Sequence, residues 1–249
     1  MKSENENIID AATLPGWFFF LLTILLYSCS NPEDQSAEKI IQASLNAIGK
    51  KADSEKIKNL VSLADCISPN GKYTTEIHTD SGGYSYFKQV YSYKPKPFEA
   101  VIENKDSGFI ISDTLVPLSK EIISMIRGHE FQNIILEVDK RFHDFEKPEK
   151  IDTSKVMAYR IKAKDELNNV CLLFFDQKTK LLSAIHSQNP ADPKEVIETE
   201  FSNWQTQQQL LLPKHIDIKQ GEKRYSFDFT KIMFNSPDFK MFPVTNKTR

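Results

Sequence analysis

A regular succession of short strand-like segments and turn signals, which begins at Asn59, constrains the fold of this chain more than any other feature. Turn-forming sequences such as Pro69-Asn70-Gly71, Ser81-Gly82-Gly83 and Lys94-Pro95-Lys96-Pro97 divide the segments at short intervals, and Gly, Pro and Asn favour turns. No helical pattern stands between successive segments of this first series. The sequence therefore predicts an antiparallel meander rather than a parallel sheet built from strand–helix–strand units.

Two later segments alternate strictly between apolar and polar residues, and this alternation places their apolar side chains on one face of a strand. In the last long segment this face carries Tyr225, Phe227 and Phe229. In the segment predicted over residues 155–163 it carries Met157, Tyr159 and Ile161. Two interpretations follow: each face packs as sheet core against a helix, or each face lines a cavity that holds an apolar ligand.

Helical patterns occur before and within the strand series. Residues 36–49 form one predicted helix, with Ser36 as its N-cap, Gly49 at its end and an apolar stripe that must lie against another element. Residues 119–127 form a second helix, and the apolar run over residues 131–138 fits either a helix or a strand. The chain is therefore predicted to be an α+β protein with a helical insert. An immunoglobulin-like sandwich is the alternative, and the opening helix counts against it.

An uninterrupted apolar run begins at Trp17 and ends in Leu26-Tyr27-Ser28-Cys29. The run is shorter than the roughly 20 apolar residues that a membrane-spanning helix needs, and its length is typical of the apolar core of an export signal. Its last four residues resemble the lipobox of bacterial lipoproteins. In those proteins the cysteine thiol is diacylated and the preceding signal is removed.

The lipobox resemblance implies that residues 1–28 are a signal peptide, that Cys29 is the lipidation site and that residues 29–35 are a tether to the membrane. Because Ser30 rather than an aspartate follows the cysteine, the familiar sorting rule for such lipoproteins favours the outer membrane. The alternatives are an uncleaved N-terminal anchor, or a start codon placed upstream of the true one.

The charge and the residue composition exclude several classes of function. The formal net charge is -2, and the chain lacks the basic stripe of a nucleic-acid-binding protein, so no nucleic-acid partner is expected. The sequence His129-Glu130 lacks the second histidine of a zinc-protease helix, and no Gly-x-Ser-x-Gly elbow occurs. At His143, Asp144 and Glu146 a solvated charged loop is favoured over a metal site. We therefore predict no catalytic residue, no metal and no cofactor, and we expect a protein that is not an enzyme.

If Cys29 carries lipid, two cysteines remain, Cys66 and Cys171. An oxidising envelope would let them form a disulfide. Both lie in apolar strand-like segments, however, where buried unpaired thiols are common. Spacing alone does not establish the geometry of a disulfide, so both alternatives stay open.

Short segments at the beginning and the end of the predicted sheet carry a resemblance to a known family. They are residues 37–49, 56–60, 176–182, 212–216 and 225–229. Together they resemble the Lol-type (LolA- and LolB-like) lipoprotein carrier superfamily, which includes outer-membrane lipoprotein-sorting proteins. The resemblance implies a curled antiparallel half-barrel sheet wrapped around the N-terminal helix, with an apolar cavity for acyl chains, over a single domain of residues 36–249. It supplies no catalytic residue.

The resemblance and the apolar faces lead to one expected function. We expect a lipid-anchored envelope protein that binds a lipid, an acyl chain or another apolar ligand in the concave face of its sheet. The predicted cavity wall consists of Met157, Tyr159, Ile161, Tyr225, Phe227 and Phe229. Its expected partners are the membrane, through the anchor, and a lipid or a lipoprotein acyl chain. The alternative function is an envelope interaction or sensor module that contacts another envelope protein and carries no ligand.

Overall fold

Fourteen strands form the sheet in the part of the chain that the computed structural model describes, which is residues 35–104, 107–153, 157–189 and 192–242. The strands are β1 Asn59–Ser68, β2 Gly71–Asp80, β3 Ser85–Tyr91, β4 Phe98–Asn104, β5 Ser107–Ile110, β6 Val116–Pro117, β7 Phe142–His143, β8 Glu149–Asp152, β9 Met157–Asp165, β10 Val170–Asp176, β11 Leu182–Asn189, β12 Asp192–Gln207, β13 Leu210–Gln220 and β14 Lys223–Phe234. The predicted signal peptide and Cys29 lie outside the described residues.

All strand pairs are antiparallel, in the order β6-β5-β4-β3-β2-β1-β14-β13-β12-β11-β10-β9-β7, and β8 also pairs with β9. One edge of the sheet is therefore β6, and the opposite edge is β7 with β8. Since β6 and β7 do not pair with each other, the sheet stays open within the described residues. This arrangement confirms the predicted antiparallel meander, and it also contains short edge strands that the sequence pattern does not reveal.

The strands that come first and last in the chain, β1 and β14, pair in the middle of the sheet and join its two halves. The register of this pair shifts where Ala64 faces Phe229 and Leu63 faces Lys231, so Thr230 is the extra residue of a β-bulge. The bulge lets Phe229 and then Ile232 turn inward, and both side chains are buried.

Five helices occur among the described residues. They are α1 Ala37–Ile48, α2 Lys51–Ser54, α3 Lys120–Gly128, α4 Phe131–Leu136 and α5 Val138–Arg141. The predicted caps of α1 are confirmed, since the backbone N–H of Lys39 donates to Ser36 Oγ at 3.4 Å and the helix ends at Gly49. A Cβ atom at Gly49 would lie 2.6 Å from the side chain of Leu210, so any other residue there would require this leucine to move.

The helical insert, which comprises α3, α4 and α5 over residues 120–141, connects the two edges of the sheet. It follows β6 at one edge and precedes β7 at the other. The ambiguous run over residues 131–138 is helical, with Phe131 and Ile135 fully buried. The insert therefore crosses the sheet from edge to edge, and together with α1 it covers the core.

The long strand β13 runs through a proline, Pro213. Pro213 pairs with Trp204 of β12, whereas pairing with β14 begins only at His215. At Pro213 one side of the strand therefore has no ladder partner, which is the setting in which a strand tolerates proline.

Both described cysteines are free thiols buried in the main core, which settles the alternative left open by the sequence. Cys66 lies on β1 and Cys171 on β10, and these strands are not neighbours in the sheet. Burial raises the pKa of each thiol to about 12. The thiols therefore stay protonated at neutral pH, and a protonated thiol is a poor nucleophile.

Residues 235–242 fold back over the face of the sheet opposite to the main core. The N–H of Phe242 donates to the hydroxyl of Tyr84 at 3.0 Å, and the N–H of Lys240 donates to Nδ1 of His78 at 3.0 Å. The sequence pattern does not reveal this segment, because two phenylalanines at the end of a polar stretch carry no periodicity.

Candidate functional site

A cavity of about 600 Å³ lies between the helical insert and the inner face of the sheet. Its lining comes from the helical insert α3 to α5, from β2, β3 and β7, from β10 to β14, and from the turns β1–β2, β3–β4 and β9–β10. Most of the lining is apolar. Prominent lining residues are Phe131, Ile134, Ile185, Phe201, Ile218 and Tyr225. This volume and this lining are typical of a site for a small organic ligand.

Packed aromatic rings form the boundary between the cavity and the core. The ring of Phe131, on the insert, meets Phe227 of β14 edge to face with 5.3 Å between centroids, and meets Phe201 of β12 at 6.4 Å. Edge-to-face pairs of this kind contribute beyond their buried area. The insert is thus held against the sheet by aromatic contacts at the inner end of the cavity.

Of the predicted wall residues on β14, only Tyr225 lines the cavity. Phe227 and Phe229 are 1% and 5% exposed and lie in the packed core behind the lining. Both rings contact Phe131, which does line the cavity. The alternation correctly placed these side chains on the inner face, but the helical insert fills the space in front of two of them.

The predicted wall residues on β9 lie outside the cavity lining. Ile161 is fully buried in the main core, Tyr159 is half-buried against it, and Met157 is 54% exposed. Met157 pairs with Asp152 of the edge strand β8. The cavity wall therefore differs from the predicted one on this strand.

Three tyrosines of the cavity lining were not predicted from the sequence. Tyr73 and Tyr91 stack with 5.4 Å between ring centroids, and Tyr91 and Tyr93 lie 5.3 Å apart. All three line the cavity. Their signal in the sequence was their position beside two turn motifs, since antiparallel turns at one end of a sheet bring such residues together.

A buried ion cluster anchors the helical insert beside the cavity. Glu130 is fully buried; Arg127 Nη1 donates to its Oε1 at 2.8 Å, and Arg141 Nη1 lies 2.8 Å from its Oε2. Arg141 also donates to Glu166 at 3.2 Å, and Arg127 donates to the carbonyl oxygen of Gly83 at 2.7 Å. Both arginines line the cavity, so its polar wall is already neutralised by carboxylates of the same cluster.

His129 supplies a neutral ring to the cavity lining. Its Nδ1–H donates to the carbonyl oxygen of Met125 at 2.7 Å, and its ring lies edge to face with Phe87 at 5.5 Å and with Phe227 at 5.4 Å. Burial lowers the pKa of His129 below the ordinary value of 6.5. The imidazole therefore stays uncharged at neutral pH and behaves as part of the aromatic lining.

We expect the free energy of unfolding to fall as the pH drops below about 6.5, because the unfolded chain then binds protons that the desolvated imidazole of His129 does not take up in the folded protein. Burial also lowers the pKa of His78 and of His186, and both add to this slope. Urea unfolding at pH 7.5 and at pH 5.5 measures the change. His129→Phe should reduce the difference between the two values.

His215 provides the control, because its hydrogen bond to Asp228 raises its pKa. Its contribution is present at low pH and is lost as the pH rises through the folded value. His215→Asn should therefore steepen the acid loss rather than reduce it. An unchanged slope in His129→Phe would contradict the assignment of a neutral buried imidazole.

Within the described residues, no group of three or more His, Cys, Asp and Glu side chains could hold a metal ion. At the charged loop considered above, His143 contacts Asn168 at 3.2 Å. Asp144 pairs with Lys164 and Glu146 with Lys162. The loop is thus a set of exposed ion pairs.

Comparison with known proteins finds matches to the structure but none to the sequence. No family model matches the sequence, and no curated protein matches it. Among solved structures, a LolA superfamily protein from Nitrosomonas europaea matches 83% of this chain and 98% of its own, with 12% identity and a TM-score of 0.58. The chain has the LolA-type fold. The predicted open half-barrel of α+β class is therefore confirmed.

Two further solved structures share the LolA-type fold with this chain. A DUF1329 family protein from Desulfovibrio piger has 9% identity over 82% of this chain and 95% of its own, with a TM-score of 0.53. A domain described as an outer membrane lipoprotein-sorting protein, from Vibrio parahaemolyticus, has 9% identity over 81% of this chain and 94% of its own, with a TM-score of 0.50.

No helix among residues 35–104, 107–153, 157–189 and 192–242 is long and apolar enough to cross a membrane.

Proposed function

We propose that this chain is a lipid-anchored protein of the bacterial envelope that binds an acyl chain or another apolar ligand in the cavity under its helical insert. The observation that carries the proposal is the cavity itself, about 600 Å³ in volume and mostly apolar in lining. The LolA-type fold supports it, because one structure of this fold is described as a lipoprotein-sorting protein.

The chemistry of the lining favours a hydrocarbon chain over a polar metabolite. Each buried methylene of such a chain contributes roughly 0.8 kcal/mol, and aromatic side chains offer broad apolar contact. His129 is neutral, and the arginines of the lining are paired with carboxylates. Among the described residues, the arginines of the lining therefore offer no unpaired positive charge to a polar ligand.

We expect native mass spectrometry of the soluble domain, which begins at Ser30, to show apolar adducts that Ser187→Trp removes. Ser187 lines the cavity from β11, and an indole at this position would occupy the space of the chain. Ser202→Trp is the matched control, because Ser202 is exposed on the neighbouring strand β12 and does not line the cavity. The control should keep its adducts.

Two results would contradict ligand binding in the cavity. Equal adducts in both tryptophan variants would place the ligand elsewhere. A domain without adducts, which also ignores fatty-acid probes, would favour the alternative function, an envelope interaction or sensor module.

The anchor is proposed from the lipobox resemblance. Metabolic labelling of cells with a palmitate analogue should label the full chain and should fail in Cys29→Ser, which should also leave the membrane fraction. Cys171→Ala removes a buried thiol of the folded domain and should keep the label. Labelling that persists in Cys29→Ser would refute the assignment. We place the anchored protein at the outer membrane, because Ser30 follows the cysteine.

The proposed role is binding without catalysis. Both described thiols have a pKa of about 12 because they are buried, so neither is a ready nucleophile. An anchored protein accepts or presents its ligand at one membrane. We therefore infer a receptor-like role rather than that of a shuttle between membranes.

A further inference from the structure

Four tyrosines line the cavity, a feature that the binding of a plain hydrocarbon chain does not require. They are Tyr73, Tyr91, Tyr93 and Tyr225. The first three form a continuous series, since Tyr91 lies 5.4 Å from Tyr73 and 5.3 Å from Tyr93 between ring centroids. Tyr93 is 39% exposed, whereas Tyr73 is buried. The series therefore leads from solvent into the cavity.

A positive charge of the protein itself already lies against these rings. Lys94 Nζ lies 4.4 Å from the centroid of the Tyr91 ring and 5.9 Å from that of Tyr93. Both distances fall within the roughly 6 Å over which an aromatic face attracts a cation. Among the ion pairs of the described residues, none joins Lys94 to a carboxylate. The rings thus hold an ammonium group by their faces.

Lys94 is also the lining cation that is left for such an interaction, because the arginines are engaged by carboxylates. The charged residues that line the cavity are Lys94, Arg127 and Arg141 against Glu121, Asp165 and Glu166, so the lining charges balance. Glu130 pairs with both arginines, and Arg141 also pairs with Glu137 and Glu166. The tyrosine faces are therefore the place where a ligand cation would be accepted.

We infer that the ligand of this cavity is an amphiphile with a positively charged, ammonium-type head group. The chain lies in the apolar cavity, and the ammonium takes the place of Lys94 against Tyr91 and Tyr93. Choline- and ethanolamine-type lipids carry such a head. This inference rests on the proposed function, because it assigns the head of the same ligand whose chain the cavity binds.

The test uses the protein purified from membranes of cells that express the full chain, placed in nanodiscs. The probes are two lysophospholipids with the same photoreactive palmitoyl chain, lysophosphatidylcholine and lysophosphatidylglycerol, and mass spectrometry maps the crosslinked residues. Both probes carry one phosphate, and they differ in the alcohol esterified to it, which is choline with its quaternary ammonium or uncharged glycerol. We expect about fivefold more crosslinking to cavity residues with the choline probe.

Three variants test the role of the tyrosines and of Lys94. Tyr91→Leu and Tyr93→Leu keep an apolar side chain and should lower the choline preference toward equality; Tyr93 is partly exposed, so its variant should fold normally. Lys94→Gln removes the resident cation and should raise the preference. Lys96→Gln is the matched control, because Lys96 lies in the same turn and pairs with the exposed Asp113 at 3.8 Å.

The outcomes separate this inference from the proposed function. Equal crosslinking of both probes inside the cavity would overturn the head-group assignment and leave chain binding in place. A preference for the glycerol probe that Lys94→Gln abolishes would also overturn it, in favour of an anionic head. No cavity crosslinks with either probe would overturn the proposed function itself.

Discussion

Glu130→Ala should lower the free energy of unfolding by about 3–5 kcal/mol, which is the cost of leaving buried charges without their partner. The Glu130 side chain is fully buried between Arg127 and Arg141, each 2.8 Å away. Both arginine side chains are also nearly buried, so water replaces little of the lost interaction. Urea unfolding followed by circular dichroism measures the change.

Glu137→Ala is the matched control. Glu137 contacts Arg141 at 3.5 Å, but its side chain is 30% exposed. A partly exposed pair contributes about 1 kcal/mol or less, so this variant should stay close to the parent protein. Equal losses in the two variants would show that burial of Glu130 is not what makes the cluster important.

Phe227→Ala should lower the free energy of unfolding by about 3–5 kcal/mol, because the truncation leaves a void in a closely packed core. The Phe227 side chain is 1% exposed, and its ring centroid lies 5.3 Å from that of Phe131 and 5.4 Å from that of His129. The same contacts separate the core from the ligand cavity. We therefore expect the variant to enlarge the cavity as well as to destabilise the domain, and urea unfolding measures the loss of stability.

Phe174→Ala is the matched control, because it removes the same side-chain atoms from a less buried position. Phe174 lies on β10, is only half-buried and has His186 as its aromatic neighbour at 4.5 Å. Its truncation removes less buried area and leaves no enclosed void, so the loss should be well under half of that for Phe227→Ala. A Phe227→Ala variant as stable as this control would contradict the placement of Phe227 in the main core.

These two results bear directly on the proposed site. The ion cluster fixes the helical insert at one place through Gly83 and Glu166, and the contact between Phe131 and Phe227 fixes it at another. A cavity can persist under an insert only if the insert is held apart from the sheet at defined points. Loss of either anchor should therefore weaken ligand binding together with stability.

The sequence by itself determined the class of the fold and the local limits of several elements. Ser36 and Gly49 bound α1 because capping is a property of a few neighbouring residues. The alternation of Tyr225, Phe227 and Phe229 placed all three on one face of β14, because the period of a strand is a property of its backbone. These features depend on residues within one turn or one strand.

The tertiary structure alone decided which of those faces is a cavity and which is core. Alternation places Tyr225 and Phe227 on the same face of the strand. The helical insert covers Phe227, which is therefore core, whereas Tyr225 lines the cavity. The run over residues 131–138 carried no decisive period, and its packing as α4 against the sheet resolved it.

The polar features of the site depend on distant segments. Glu130 meets Arg141 from another helix, and Arg127 reaches Gly83 in the β2–β3 turn. No period in the sequence links these positions, because their contact results from the path of the chain between the two edges of the sheet. The tyrosines of the cavity depend on distant segments in the same way. Lys94 lies over Tyr91 within one turn of the chain, whereas Tyr73 reaches Tyr91 only because β2 pairs with β3.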